Sequence, residues 1–383
     1  MPPSAASGEP GAALRPGLLS AQSIFLEVII MKGYGMIKVG EPAWLEHEKP
    51  AAGPMDAILR PLMVAPCSSD THMMHGGAGP VTDRILGHEA IGEVVEVGSL
   101  VKKFKPGDVV VVPCCTPDWE QTAIQKRDGN NAHDSTFMSS FKFLSYKDGV
   151  FAEFFSVNNA DANLVHMREG VSMEAALATV DMMSTGMYGA EMANISLGDT
   201  VVVFGIGPVG LMAVAGAALL GAGKLIAIGT RPNCAALARE YGATDIVSYK
   251  DGDVVQQILE TAGGRVDAAI LAGGNCATMT QALSVVKPNG YIANVNFVDA
   301  SDTYQIPAPL VSMGMSDINI RGGFCPGGAL RIEKLLNLIE AGRIHPEKIF
   351  NYQYEGFDKI PEAFDTMDKK PRDLIKPVVK ISW

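Results

Sequence analysis

The stretch 201-VVVFGIGPVGLMAVAGAALLGAGKLIAIGTR-231 decides how this chain folds. A run of four apolar, mostly β-branched residues ends in Gly205-Ile206-Gly207-Pro208-Val209-Gly210. An Ala/Leu-rich run of helical composition follows, and a second apolar run covers Leu225 to Gly229. Strand, glycine turn, helix and strand in that order predict a βαβ unit. Its first glycine allows a tight turn, its second lets the backbone approach a pyrophosphate, and its third lets the helix pack on the strand. The N-terminus of the helix then turns free N–H groups toward the phosphates. A lone GxGxxG is weak, because glycines also serve ordinary strand-to-helix turns, but here the flanking runs are right on both sides.

The end of the second strand adds a choice of cofactor. A site for the unphosphorylated dinucleotide carries Asp or Glu about 20 residues after the glycines, to accept from the ribose 2′-OH. This chain has Gly229-Thr230-Arg231 there. The missing carboxylate removes a repulsion, and an arginine adds charge-assisted bonding to a 2′-phosphate, so NADP(H) is expected over NAD(H). A solvated surface role for Arg231 is the plain alternative.

A length of 383 residues suits two domains, and 47% hydrophobic with 19% charged residues is the composition of a well-buried globular protein. The net charge of −11 argues against a nucleic-acid partner, which needs a basic surface. No stretch reads as a membrane span. The cysteines Cys67, Cys114, Cys115, Cys234, Cys276 and Cys325 form no CxxC and no paired framework, which suits a reducing, cytoplasmic setting with thiols free or metal-bound. Residues 1–30 are Pro/Gly/Ala/Ser-rich at first and are expected to be a poorly ordered extension, with Met31 opening the working domain; an organelle address is the alternative.

From Met31 onward short β-branched runs such as Ala57 to Val64, Ala90 to Val97 and Asp108 to Val112 predict a compact β domain, and the mostly polar segment from Thr116 to Asp148 reads as a long excursion loop. Helical spacing covers Ser172 to Leu197. Beyond the glycine unit, strand and helix alternate (Asp245 to Ser248, Val254 to Glu260, Asp267 to Leu271, Met279 to Val286, Tyr291 to Val295), which predicts a doubly wound parallel sheet. The tail, a helix from Leu330 to Ala341 and a strand from Ile375 to Ile381, leaves that alternation and is expected to return to the first domain. The expected fold class is therefore α/β, with a β-rich catalytic domain over 31–184 completed by 325–383, and a Rossmann domain over 185–324.

Two histidine contexts stand out among seven. Cys67 and His72 lie in Pro66-Cys67-Ser68-Ser69-Asp70-Thr71-His72 after a strand, and His88 lies in Gly87-His88-Glu89 before the next. A catalytic zinc takes three protein ligands and keeps one open position. Cys67 as thiolate and His88 as imidazole suit it, though their spacing is not diagnostic and either residue is also an ordinary core residue. Asp181, an acid inside the apolar run Thr179-Val180-Asp181-Met182-Met183, is costly to bury without a cation; its alternative is an N-cap of the following helix.

The motifs PCSSDTH, GHEAIGEVVEVG, KPGDVVVVP, TPDW, DMMSTGMYGAE, GIGPVGLMAVAGA, GATDIV, AGGN and CPGG, in this order, resemble the medium-chain dehydrogenase family, in particular its zinc-dependent, NADP-linked secondary alcohol dehydrogenases. The resemblance runs from Met31 to the C-terminus and implies a GroES-like catalytic domain. It implies Cys67, His88 and Asp181 as zinc ligands with Glu89 as a fourth or exchanging one, Ser69 and His72 as a proton relay, and Gly229, Thr230, Arg231 and Tyr249 around the 2′-phosphate. It further implies Trp119 as a pocket wall, one catalytic zinc per subunit, a homotetramer, and interconversion of small secondary alcohols and ketones by hydride transfer to or from NADP(H). The chain departs from the family pattern at Phe141, where a tryptophan is common, at Phe324, often leucine, and at Cys114-Cys115, often a small-aliphatic pair; all lie in segments that would shape the alcohol pocket. A zinc-free NADPH quinone or enone reductase and a non-catalytic NADP-binding protein are the rival readings, and neither has a use for Cys67, His88 and Asp181 together.

Overall fold

The glycine stretch folds as strand Thr200–Phe204, helix Pro208–Leu219 and strand Lys224–Ile228 in a computed structural model that describes residues 28–77, 79–125, 140–299, 302–314 and 316–383. The two strands pair in parallel with Val201 opposite Leu225. They belong to a six-stranded sheet in the order Asp245–Val247, Lys224–Ile228, Thr200–Phe204, Val266–Leu271, Val286–Asn294, Asn319–Gly322. Every pairing in it is parallel. Such a sheet is covered by helices on both faces, which is why its strands read as continuous apolar runs instead of alternating ones.

Strand order reverses beside Thr200–Phe204. The chain leaves that strand to build outward on one side and returns with Val266–Leu271 on the other. A crevice opens at the carboxyl ends of the strands on either side of such a switch point. Here the two lips are Gly205 and Gly273, and a Cβ on Gly205, whose φ is +86°, would stand 2.7 Å from the Gly273 Cα.

The chain before residue 170, joined by two strands from the tail, forms two further sheets. One has the order Glu41–Glu48, Ile30–Lys38, Arg84–Ile85; the other has the order Phe350–Glu355, Lys376–Lys380, Ala57–Val64, Ala90–Val97, Val109–Val112, Val165–His166, with Phe155–Val157 also on Ala57–Val64. The C-terminal strand Lys376–Lys380 thus lies in the N-terminal sheet, Val379 opposite Val64.

The helical segment after Ser172 is not one regular helix. Met173–Ala178 and Ser184–Met192 are α-helical, and the turn Thr179–Met183 between them is π-helical. One extra residue in a turn rotates the side chains that follow it, a device often found at functional sites. Asp181 sits in this turn, inside the continuous helix, so it does not serve as an N-cap. Residues 1–27, most of the N-terminal extension, and 126–139 of the excursion loop lie outside the described residues. No helix among the described residues is long and apolar enough to cross a membrane.

Candidate active site

Strand Ala57–Val64 delivers the chain to Cys67, which starts the helix Ser68–Met74. The Cys67 N–H donates to Asp70 Oδ2 at 2.8 Å, a closed first turn that fixes the cysteine. The other oxygen of Asp70 accepts from the Gly87 N–H at 3.2 Å and from His88 Nδ1 at 3.0 Å. One fully buried carboxylate therefore ties the Cys67 turn to the Gly87-His88 turn, holds the Nδ1 side of the ring, and leaves Nε2 facing the cluster.

That Nε2 lies 3.6 Å from Asp181 Oδ2 and 3.9 Å from Glu89 Oε1, and Cys67 Sγ lies 3.5 Å from the same Asp181 oxygen. Thr185 Oγ1 donates to Asp181 Oδ1 at 2.8 Å, which turns Oδ2 toward the cysteine and histidine. The ligand atoms of Cys67, His88, Glu89 and Asp181 all lie within 4.8 Å of one another. Tetrahedral zinc, with bonds of about 2.0 to 2.3 Å, spaces its ligands about 3.3 to 3.8 Å apart, so this mixed S, N and O set fits the metal.

The charges of the cluster act strongly on one another. Burial pushes the Cys67 thiol up. Burial also pushes Glu89 up, to about 7, against the opposing charge of Lys376. His88 is raised in spite of its burial, by the Asp70 charge and by its hydrogen bonds to Asp181 and Asp70. Asp181 is held well below the usual carboxylate range, burial being outweighed by the hydrogen bond and charge of His88 and by the charge of Lys376. Glu89 Oε2 is buried with no hydrogen-bond partner among the described residues, an orphan acceptor of the kind a cation satisfies. Its other oxygen takes Lys376 Nζ at 2.7 Å, and the same ammonium donates to the Pro66 carbonyl at 3.0 Å.

Cys67, His88 and Asp181 of the cluster line a cavity of 1110 Å³. Gly205, Ile206, Gly207, Pro208 and Val209 line it, as do Gly229, Thr230, Arg231 and Tyr249. Gly210 faces away and is needed for packing: a Cβ there would come 1.8 Å from the Gly205 carbonyl oxygen. Arg231 Nη1 donates to the Leu374 carbonyl at 2.6 Å, and Thr230 Oγ1 donates to the Tyr249 hydroxyl at 3.0 Å, so these side chains are held in place. Ser69, His72, Cys114, Phe141 and Phe324 are also in the lining. Phe141 packs edge-on against both His88, at 5.1 Å, and Phe324, at 5.3 Å. Ser69 Oγ lies 3.4 Å from His88 Nε2, while the partly exposed His72 holds Asp299 Oδ1 through Nδ1 at 2.8 Å and packs on Phe297.

One expected residue is placed differently. Trp119 is not part of the cavity lining; its indole N–H donates to Asn163 Oδ1 at 2.9 Å and its ring closes over Gly328, where a Cβ would meet the ring at 2.2 Å. It anchors a loop instead of walling the pocket. Conversely, three residues were not singled out from the sequence. Asp70 had a signal, an acid three residues into a helix that begins at Cys67. Lys376 had a weak one, a lysine at the head of an apolar strand. Asp299 had none.

Residues 53–169 match the model of the alcohol dehydrogenase GroES-like domain, and residues 208–341 match that of the zinc-binding dehydrogenases. The NADP-dependent isopropanol dehydrogenase of Thermoanaerobacter brockii is 54% identical over 351 residues, spanning 91% of this chain and 99% of the relative. The protein of the same name from Entamoeba histolytica is 48% identical, over 92% of this chain and 96% of its own. Among solved structures, zinc-dependent alcohol dehydrogenase 2 from Streptococcus pneumonia, in an apo form, superposes with a TM-score of 0.83 at 28% identity, over 92% of this chain and 99% of its own.

Proposed function

This chain belongs to the zinc-dependent medium-chain alcohol dehydrogenase family, and we propose that it interconverts small secondary alcohols and ketones with NADP(H), using the residues assembled in this cavity. The observation that carries the reading is that one cavity is lined both by Cys67, His88 and Asp181 of the ligand cluster, which Glu89 completes, and by the glycine turn and Arg231.

Cys67, His88 and Asp181 would hold a zinc ion, with His88 oriented by Asp70, and the metal would supply Lewis acidity toward an alcohol oxygen, while NADP(H) held by the glycine turn would supply the hydride acceptor or donor. Glu89, shared with Lys376, stands beside the metal as an exchanging ligand. The Ser69 hydroxyl carries the alcohol proton away, and His72, at the wetter side of the cavity, passes it to solvent. Phe141, Phe324 and Cys114 form the apolar wall that excludes water and sets the size of the alcohol. The glycine turn and the N-terminus of helix Pro208–Leu219 receive the pyrophosphate, while Thr230, Arg231 and Tyr249 receive the 2′-phosphate. The absence of a carboxylate beside Arg231 supports NADP(H). All six cysteines are free, which supports a reducing, cytoplasmic setting, and a homotetramer is the assembly we assign by family likeness.

Elemental analysis of the purified protein, run beside NADP-dependent oxidation of propan-2-ol, tests this. One zinc per chain, with turnover lost on chelation and recovered with zinc, is the expected result. Full turnover in zinc-depleted protein would return the reading to the zinc-free reductases.

A further inference from the structure

Beyond the zinc cluster, the described residues contain one other group of ligand atoms close enough to share a metal ion: the thiols of Cys114, Cys115 and Cys325, all buried. Cys114 and Cys115 follow strand Val109–Val112, and Cys325 follows strand Asn319–Gly322, so the fold brings them together from segments some two hundred residues apart. Their sulfurs lie within 4.8 Å of one another, with Cys114 Sγ 3.9 Å from Cys115 Sγ, and none is in a disulfide.

We propose that Cys114, Cys115 and Cys325 form a second metal site, three-coordinate and all-sulfur, that takes a soft d10 cation of the Cu(I), Cd(II), Hg(II) class. Three points carry this. An ion with metal–sulfur bonds of about 2.3 Å in a trigonal plane holds its sulfurs about 4.0 Å apart, close to the 3.9 Å between Cys114 and Cys115, and the larger Cd(II) spreads them further, within the 4.8 Å that bounds the group. No histidine or carboxylate belongs to the group, and a purely thiolate donor set selects soft ions over hard ones. The backbone already holds the donors in place: the Cys114 N–H donates to the Val180 carbonyl at 3.4 Å, the Cys325 thiol points at the same carbonyl at 3.8 Å, and the Gly328 N–H donates to the Cys115 carbonyl at 3.3 Å. Little reorganisation then opposes binding. The thiols surrender their protons to solvent as the ion enters.

The site has a way in and a consequence. Cys114 and Cys325 line the active cavity, as Phe141 and Phe324 do, while Cys115 is not in its lining. An ion drawn through the cavity onto these sulfurs pins the wall on which the alcohol packs. Occupancy of the second site therefore lowers turnover while the zinc cluster stays loaded.

The test uses zinc-loaded protein equilibrated with Cd(II) and freed of excess ion, with both metals counted by elemental analysis and the cadmium shell read by X-ray absorption. Expected are retained zinc, one added cadmium per chain with three sulfur neighbours, and turnover that falls in step with cadmium uptake. Cys115→Ser and Cys325→Ser should each abolish the added cadmium, with the zinc content kept; Cys115→Ala serves if either serine variant fails to fold. Cadmium that only replaces zinc, or uptake equal in parent and variants, overturns the site. Uptake without loss of turnover overturns its effect on the pocket. Zinc content is counted separately, so either failure is distinguishable from failure of the zinc site itself.

Discussion

Replacing Lys376 with methionine should be among the most damaging single changes in the catalytic domain. The ammonium and Glu89 are both buried, 2.7 Å apart, and the second bond of the lysine to the Pro66 carbonyl holds it in line. Methionine keeps the volume and removes the charge, which leaves Glu89 as an uncompensated buried carboxylate. Breaking a buried pair from one side costs about 3 to 5 kcal/mol. The orphaned Glu89 limits that loss by taking a proton. Glu89 already sits at about 7 with Lys376 beside it and rises further without the ammonium, so the penalty should be larger at pH 7.5 than at pH 6, where Glu89 holds a proton in parent and variant alike. Urea unfolding of the metal-depleted variant at those two pH values measures this without letting zinc capture the freed carboxylate. The double variant Lys376→Met/Glu89→Gln should recover to within about 1 kcal/mol of the parent, because no buried charge is left unpaired. A loss under about 1 kcal/mol in the single variant, or one independent of pH, would refute the assignment of the pair as the charge balance of the site.

Three further outcomes are expected. Arg231→Ala removes charge-assisted bonds worth about 1.5 to 3 kcal/mol each, so kcat/KM with NADP should fall about 10- to 150-fold while that with NAD holds; equal losses with both cofactors would mean that Arg231 only braces the Leu374 carbonyl. Gly210→Ala drives a Cβ to 1.8 Å from the Gly205 carbonyl oxygen and should cost about 1 to 3 kcal/mol in thermal or urea unfolding together with NADP affinity, whereas a neutral result would show that the glycine turn is free to move. Lys147, lowered to about 7 by burial and by the charge of Lys142, favours its neutral form in the folded state. The unfolded chain, with an ordinary lysine, binds more protons between about pH 7 and 10, so the destabilising effect of Lys147 is fully present below that window and is relieved as pH rises through it. Its contribution should make stability climb by up to about 1.4 kcal/mol per pH unit there, and Lys147→Met should flatten the climb; identical pH profiles would exclude the lowered lysine.

What the sequence discloses about this protein follows from how far apart the cooperating residues are. The βαβ unit was legible because its whole signal, apolar run, glycines, helix and apolar run, lies within 31 consecutive residues. The parallel sheet after it was legible for the same reason, repeated. Asp181 was legible as an oddity because an acid in an apolar run demands a partner. The π-helical turn that aims it was not, since one extra residue in a helix leaves no mark in composition. Lys376 obeys the rule that exposed Asp181, being a charge at the head of a strand otherwise buried, yet its partner Glu89 lies 287 residues away and the tail reads as a strand with a polar end. Asp70 shows the intermediate case. Its place at the start of a helix is visible, but its grip on His88 depends on a turn 18 residues later that only the tertiary fold brings near. A buried charge announces in sequence that a partner exists, and the fold alone says which. The same holds for thiols without charge: Cys114 and Cys115 are adjacent and look like a pocket substitution until the return of the chain sets Cys325 beside them.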